Sequence, residues 1–154
     1  MIRMKLVIAA DHGGYPLKVQ LLEFLRADGH DVLDLGAFNE ERTDYPDYAR
    51  AVGEALQRGQ AERGFVLCGS GVGACIAANK MRGIRASVAH DTYSAHQGVE
   101  HDAMNVVVMG SRVIGNELAR DIARAFIAAK FNGGEAYLRR LAKVEAMERE
   151  GKES

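Results

Sequence analysis

The chain has few of the features that mark exported, membrane-bound or nucleic-acid-binding proteins. Its 154 residues include two cysteines, two prolines and no tryptophan, and its formal net charge is −1. No apolar run approaches the ~20 residues that a membrane helix needs, and the first residues show no signal-peptide pattern. No block of like charges offers a surface for nucleic acid or for an acidic membrane. These absences predict a compact cytoplasmic protein that binds neither partner.

Two cysteines are too few for a disulfide framework. Cys68 and Cys75 flank a turn and the start of a helix, and a reducing compartment is the default for such a chain. They lack the spacing of zinc ligands, and there is no second pair. His96 and His101 would point about 140° apart on one helix, so they cannot share a metal ion. The sequence therefore predicts neither a disulfide nor a metal site.

What the chain does have is a series of short apolar runs that alternate with helical patterns. Its hydrophobic content of 47% and charged content of 27% are ordinary for a globular protein. We expect one domain over residues 1–150, with residues 151–154 frayed. Strands are predicted over residues 5–10, 31–36, 64–68, 84–88 and 105–109, and helices over about 15–28, 46–56, 71–81, 92–101, 115–130 and 135–150.

This alternation predicts an α/β fold, a Rossmann-like three-layer sandwich with a five-stranded parallel sheet and right-handed crossovers. The helix over 135–150 lies outside the alternation, and such an extra C-terminal helix favours a homodimer. Ligands of these sheets bind beyond the carboxyl ends of the strands. That rule gathers four polar stretches on one rim: Asp11-His12, Cys68–Gly73, His90-Asp91 and Gly110–Arg112.

The glycine-rich turn Cys68–Gly73 is the most informative of these stretches. Amides at the start of a helix lack intrahelical partners, which suits an anion or a developing oxyanion. A helix start also favours the thiolate form of Cys68, which could then act as a nucleophile or a base. Alternatively, Cys68 is a small buried hydrophobe, as free cysteines commonly are. Cys75 lies inside the helix and is interpreted as structural.

Three other interpretations of this turn stay open. Gly69-x-Gly71-x-x-Ala74, with Asp91 about twenty residues further on, fits a relaxed dinucleotide fingerprint. Three observations oppose a dinucleotide site. The motif follows the third strand rather than the first, no room remains for a catalytic domain, and Cys68 would have no function in binding a cofactor. The glycines could also serve only a tight turn, or a non-catalytic phosphate-binding module. Among the remaining polar residues, His30 is expected to be solvated, and Arg139 and Arg140 either are solvated or grip a phosphate.

Taken together, these motifs resemble the type B ribose-5-phosphate isomerases, a family shared with the galactose-6-phosphate isomerase subunits. The resemblance spans roughly residues 4–150. The matching stretches are Asp11–Gly14, Arg42–Pro46, Cys68–Gly73, Ala77–Lys80, Gly83–Ala86, His101, Asn105 and Gly110–Val113.

The resemblance implies a cofactor-free aldose–ketose isomerisation, from ribose 5-phosphate to ribulose 5-phosphate, through a cis-enediolate. By position, Cys68 would be the base that moves a proton between C1 and C2, Asp11 would shuttle protons between the two oxygens, and His101 would help to open the sugar ring. The glutamate base of another branch of the family would fall at Ala74, which leaves Cys68. Further residues would contact the substrate: Ser70 and the amides of Gly69, Gly71, Val72 and Gly73 at the enediolate, and His12, Tyr45, Asp102, Arg112 and Arg139 around it.

The resemblance also implies that the site lies at a subunit interface of a homodimer or homotetramer, since a neighbouring subunit grips the phosphate. Two residues depart from the family pattern. Asp102 stands where the family has asparagine, and Glu135 replaces the first of two arginines, of which Arg139 fits the second. A carboxylate facing a phosphate is unfavourable. The substrate is therefore either ribose 5-phosphate or another sugar, such as a tetrose or hexose phosphate or a non-phosphorylated sugar.

Overall fold

The computed structural model of the chain describes residues 2–153. It contains five strands and six helices in alternation. The strands are β1 (Lys5–Ala10), β2 (Asp31–Asp34), β3 (Arg63–Cys68), β4 (Ala86–Val88) and β5 (Val106–Gly110). The helices are α1 (Tyr15–Ala27), α2 (Tyr45–Gln57), α3 (Val72–Ala78), α4 (Thr92–Asp102), α5 (Asn116–Ala128) and α6 (Glu135–Glu153).

All five strands are parallel and lie in the order β2-β1-β3-β5-β4. The three central strands are continuous apolar runs because helices cover both faces of the sheet. One apolar cluster joins Leu6 and Ile8 to α1, α4 and α5, and a second joins Val7 and Ala9 to α2 and α3. The predicted three-layer α/β fold is therefore confirmed, and α6 is the expected helix outside the alternation.

Several element ends differ from the prediction, and three of the differences have a local cause. Strand β2 stops at Asp34, whose carboxylate accepts the Gly36 N–H at 3.0 Å and turns the chain. Helix α3 stops at Ala78, and β4 starts only at Ala86. The Asn79 side chain lies between them: its Nδ2 donates to Ala86 O and its Oδ1 accepts the Ala86 N–H, both at 2.8 Å. A side chain that bonds the backbone in this way competes with continued helix.

Two ionisable side chains, those of His30 and Lys18, are buried although the hydrophobic pattern of the sequence does not indicate it. His30 is only 8% exposed, and its Nδ1 accepts the Met4 N–H at 3.1 Å, so the prediction that it is solvated is wrong. The turn that seemed polar folds back against β1. Lys18 is 1% exposed and pairs with Asp34 at 2.7 Å, as a buried ammonium must be paired to be tolerated.

Helix α6 packs on the remainder of the chain through few contacts. Glu148 accepts the Gly83 N–H at 2.7 Å, and the helix leaves Leu138, Val144 and Met147 exposed. The single domain over residues 1–150 and the frayed end at 151–154 stay predictions, and Ser154 lies outside the described residues. Within residues 2–153, no helix is both long enough and apolar enough to cross a membrane.

Candidate active site

The sheet has a switch point between β1 and β3. These strands are neighbours, yet α1 leaves β1 toward one face and α3 leaves β3 toward the other. Parallel sheets bind their ligands in the crevice that such a divergence opens. A cleft of about 300 Å³ lies at this point. It is lined by Asp11, Tyr45, Cys68, Gly69, Ser70, Gly73, Arg112 and Val113. The structure thus brings seven of the predicted site residues together and adds Val113.

Cys68 is the last residue of β3, and its side chain reaches the turn that follows. The residue is 5% exposed, and its Sγ accepts the Gly71 N–H at 3.1 Å. Gly71 has φ +86°, a left-handed conformation that favours glycine. The thiol and the turn therefore form one hydrogen-bonded unit.

The second half of the turn is held by a hydrogen bond within the turn and by a close contact with Tyr45. The Val72 N–H donates to Ser70 Oγ at 3.2 Å. A Cβ atom at position 73 would lie 2.6 Å from Cζ of Tyr45, so a glycine there lets the tyrosine ring approach the backbone closely. Helix α3 has only seven residues, which makes its dipole smaller than the sequence suggested. The groups that can meet an anion are therefore the amides of the turn and of the first residues of α3, rather than the dipole of the whole helix.

Asp11 enters the cleft from the end of β1. Its backbone N–H donates to Leu67 O at 3.2 Å, which ties it to β3. Its Oδ1 accepts the Gly14 N–H at 3.0 Å, and the residue is 7% exposed. One carboxylate oxygen is thus held by the loop in a largely buried position beside Cys68's turn. A carboxylate so placed can accept and return protons without moving its backbone.

His12 and the segment before α2 hold each other in place. The His12 N–H donates to Thr43 Oγ1 at 3.0 Å, and the Thr43 N–H lies 3.2 Å from His12 Nδ1. These bonds anchor the chain just before Tyr45, which then covers the turn. His12 does not line the cleft itself, and its contact with substrate stays a prediction. Nothing in the sequence pointed to Thr43 beyond its place in the Arg42–Pro46 motif.

Arg112 borders the cleft from the end of β5. The Ser111 N–H donates to Cys68 O at 2.9 Å, and the Arg112 N–H donates to Gly69 O at 3.0 Å. The Arg112 side chain is exposed and lies over Gly69. Among the described residues that line the cleft, it is the one cationic side chain. A guanidinium in this position suits the phosphate or the oxygens of an anionic ligand.

The other predicted site residues lie away from this cleft within one chain. The His101 ring stacks on Tyr137 of α6 at 4.8 Å, and its Nδ1 lies 2.9 Å from Gln97 Nε2. Asp102 lines a different cleft of about 420 Å³ beside α6. Arg139 is exposed on α6. These three residues would have to reach Cys68 from a second copy of the chain, so their roles stay predictions.

Asp91, the acidic residue of the dinucleotide interpretation, has a structural role instead. Its carboxylate accepts the Ser94 N–H at 2.6 Å and caps α4. The hydrogen bonds from the Ser94 backbone and side chain hold the pKa of this carboxyl below its usual range.

Cys75 is half-buried, and burial raises the pKa of its thiol. Across residues 2–153, no three His, Cys, Asp or Glu side chains lie together as metal ligands would.

Comparison with known proteins identifies relatives over nearly the whole chain. Residues 6–144 match the family model described as Ribose/Galactose Isomerase. The chain is 44% identical over 130 residues to ribose-5-phosphate isomerase B of Escherichia coli, covering 84% of this chain and 87% of that protein. It is 40% identical over 132 residues to D-erythrulose-4-phosphate isomerase of Pectobacterium atrosepticum, covering 85% and 87% of the two chains. Ribose-5-phosphate isomerase B of Clostridium thermocellum has the same fold, with a TM-score of 0.93, 42% identity, and 96% and 99% of the two chains covered.

Proposed function

The chain belongs to the ribose/galactose isomerase family, and we propose that it interconverts ribose 5-phosphate and ribulose 5-phosphate with Cys68 as the base. The resemblance expected from the motifs is confirmed, and the chain is a sugar-phosphate aldose–ketose isomerase. The observation that carries the assignment of the base is the 3.1 Å hydrogen bond from the Gly71 N–H to Cys68 Sγ, in a cleft that also holds Asp11. The reaction needs no cofactor, and we place it in the cytoplasm.

The proposed reaction moves two protons and leaves the composition of the sugar unchanged. The Cys68 thiolate removes the proton from C2 of the open-chain aldose, and the electron pair forms the C1–C2 double bond while O1 becomes negatively charged. Asp11 accepts the proton of the O2 hydroxyl and delivers it to O1. The Cys68 thiol then returns its proton to C1, which gives the ketose and regenerates the thiolate.

The negative charge on the enediolate needs donors that are already in place. Two amides of the turn are engaged within it, since Gly71 donates to Cys68 and Val72 donates to Ser70. The donors left for the oxyanion are the amides of Gly69, Ser70 and Gly73 and the Ser70 hydroxyl, whose oxygen accepts from Val72 while its proton remains available. Donors fixed before the reaction stabilise the transition state most effectively.

The complete site contains residues of two subunits in this proposal. His101, which would open the ring, and Arg139, which would hold the phosphate, lie outside the Cys68 cleft of one chain. The chain also exposes large apolar side chains on α3 and α6, including Ile76 at 58% and Met147 at 70%. Apolar surface of this kind favours association. We therefore expect a homodimer, or a dimer of dimers, with the site across the interface.

A second candidate is the same chemistry on another sugar, either a tetrose or hexose phosphate or a non-phosphorylated sugar. Two exposed carboxylates favour it, because Asp102 and Glu135 stand where the family pattern has asparagine and arginine. One of the relatives named above is a D-erythrulose-4-phosphate isomerase. A candidate of another class, a phosphate-binding module without catalysis, would bind sugars but exchange no proton.

One experiment separates these candidates. The purified full-length protein is incubated in D₂O with C4–C6 aldoses, with and without phosphate, and kcat/KM and deuterium incorporation are measured for each. We expect the highest kcat/KM with ribose 5-phosphate and deuterium at C1 of the ketose. A preference of ~100-fold for phosphorylated sugars, about 2.7 kcal/mol, would exclude the free-sugar candidate. Binding without deuterium incorporation into any sugar would refute the enzymatic assignment.

A further inference from the structure

The imidazole of His90, which does not line the cleft, contacts the end of β5, against which the Cys68–Gly73 turn packs. Gly110 is the last residue of β5 and lies in register with Cys68 of β3. On its other side, the pairing of β4 with β5 ends at Val88 and Val108. The Gly110 N–H lies beyond that last pair and donates to Nε2 of His90 at 2.9 Å. A side chain thus takes the place that a strand carbonyl would occupy in a longer sheet.

The backbone at Gly110 is in direct contact with the turn. A Cβ atom at position 110 would lie 2.6 Å from the carbonyl carbon and oxygen of Ser70, and one at position 71 would lie 3.4 Å from Gly110 N. The two residues after Gly110 also bond the turn: the Ser111 N–H donates to Cys68 O, and the Arg112 N–H donates to Gly69 O. A shift of Gly110 would therefore move the turn that carries the oxyanion donors.

The backbone of His90 lies between two fixed elements. The Ala89 N–H donates to Val108 O at 3.1 Å, which continues the sheet to the residue before His90. Asp91, the residue after it, caps α4 through the Ser94 N–H at 2.6 Å. The backbone of His90 therefore has little freedom, and its ring can hold Gly110 in one place.

We propose that His90 is a positioning residue: its Nε2 accepts the buried Gly110 N–H and thereby fixes the Ser70–Gly71 turn in the geometry that the enediolate requires. This inference rests on the proposed isomerase function. Accepting through Nε2 requires a lone pair there, so the ring proton is on Nδ1. Gly110 is buried, and a buried N–H without a partner is unfavourable, so loss of the imidazole would make the strand end move. Small displacements of pre-placed groups reduce turnover strongly.

The test compares three substitutions at position 90 that differ in where the side chain places a hydrogen-bond acceptor. His90→Gln places an amide oxygen near the position of Nε2, His90→Asn places it too short to reach, and His90→Leu offers none. We expect His90→Leu and His90→Asn to lower kcat by roughly 10- to 100-fold. Their KM should change by less than about threefold, because the lost interaction acts in the transition state. His90→Gln should restore most of the turnover. His96→Leu on α4 loses the 3.0 Å contact with Glu100 and the edge-on ring contact with Tyr93, both outside the cleft. It is the matched control and should keep kcat within about twofold.

A second measurement does not depend on activity. In the wild-type protein labelled with nitrogen-15, an N–H···N hydrogen bond transmits a scalar coupling between Gly110 N and His90 Nε2. We expect this coupling, together with altered amide shifts at Ser70 and Gly71 in His90→Asn. Wild-type kcat in both His90→Asn and His90→Leu, or absence of the coupling, would overturn the inference. If His90→Leu does not fold, the contrast between the glutamine and asparagine variants decides. If the wild-type protein isomerises no sugar, the proposed function fails, whereas the coupling still tests the contact.

Discussion

The Gly71 N–H donates to Sγ of Cys68 at 3.1 Å, so the last side chain of β3 is bonded to the turn that follows it. Gly71 has a left-handed backbone, at φ +86°, which favours glycine at this place in the turn. A thiolate in this place has a fixed donor, and its position relative to the other amides of the turn is set by the same backbone. The base and the oxyanion donors of the proposed reaction are therefore parts of one rigid segment.

Replacement of Cys68 tests the base directly. Cys68→Ala should lower kcat by about 10²–10⁴-fold, because no group remains at the end of β3 to move the proton. The matched control is Cys75→Ala, which removes a half-buried thiol from α3 without touching the cleft lining. It should keep turnover within about threefold. Initial rates with ribose 5-phosphate and deuterium incorporation measure both effects. Near-normal turnover in Cys68→Ala would show that another group is the base.

Substitution of Gly71 separates catalysis from stability. Gly71→Ala places a side chain in a left-handed conformation and should reduce the free energy of unfolding by about 1–2 kcal/mol. It should also lower kcat, because the amide that faces Cys68 is displaced. Gly59→Ala is the matched control: Gly59 has φ +72° and open space around its Cβ position, far from the cleft lining. It should show a similar loss of stability in urea unfolding with unchanged kcat. Equal kcat in the two variants would contradict the role of this turn.

Glu135 tests the phosphate end of the substrate. If a neighbouring copy brings the start of α6 to the phosphate, Glu135→Arg removes a repulsive charge and adds an attractive one. The KM for ribose 5-phosphate should then fall by about 2- to 5-fold, and less at high ionic strength. Glu117→Arg makes the same charge change at the exposed start of α5 and serves as the control. Steady-state kinetics at two salt concentrations measure both. Equal effects of the two variants would mean that only net charge matters.

The Asp91 carboxylate should make a pH-dependent contribution to the free energy of unfolding. The Ser94 hydrogen bonds lower the pKa of this carboxyl in the folded state, so its stabilisation is present above the unfolded-state pKa and is lost as the pH falls through the lowered value. At about pH 7, Asp91→Ala should reduce the free energy of unfolding by about 1 kcal/mol, the typical cost of a lost N-cap. At about pH 3 the difference from wild type should shrink. Asp91→Asn caps without a charge, so its own contribution should not vary with pH. A constant difference between wild type and Asp91→Ala across that range, measured by urea unfolding, would contradict this account.

The strand-end residues of the site could be predicted because the rule that locates them depends only on topology. Asp11 and Cys68 each follow an apolar run, and parallel strands bring their carboxyl ends to one edge. Arg112 follows from the same rule, and all three line the cleft. His30 could not be predicted in this way. Its neighbours in the sequence are polar, and only the approach of Met4 from another element shows that it is buried.

The sequence by itself determined the parallel α/β sheet and the edge of the sheet on which the polar strand-end residues lie, because apolar periodicity and glycine placement are local properties with a direct structural meaning. The family followed from the resemblance of its motifs. Only the tertiary structure decided that Gly71 bonds the thiol, that Tyr45 lies over Gly73, and that His90 holds the strand end beneath the turn. It also decided that His101 stacks on Tyr137 rather than facing Cys68 of the same chain. These contacts join residues from different elements, and their distances depend on how helices and strands pack, which no local pattern encodes.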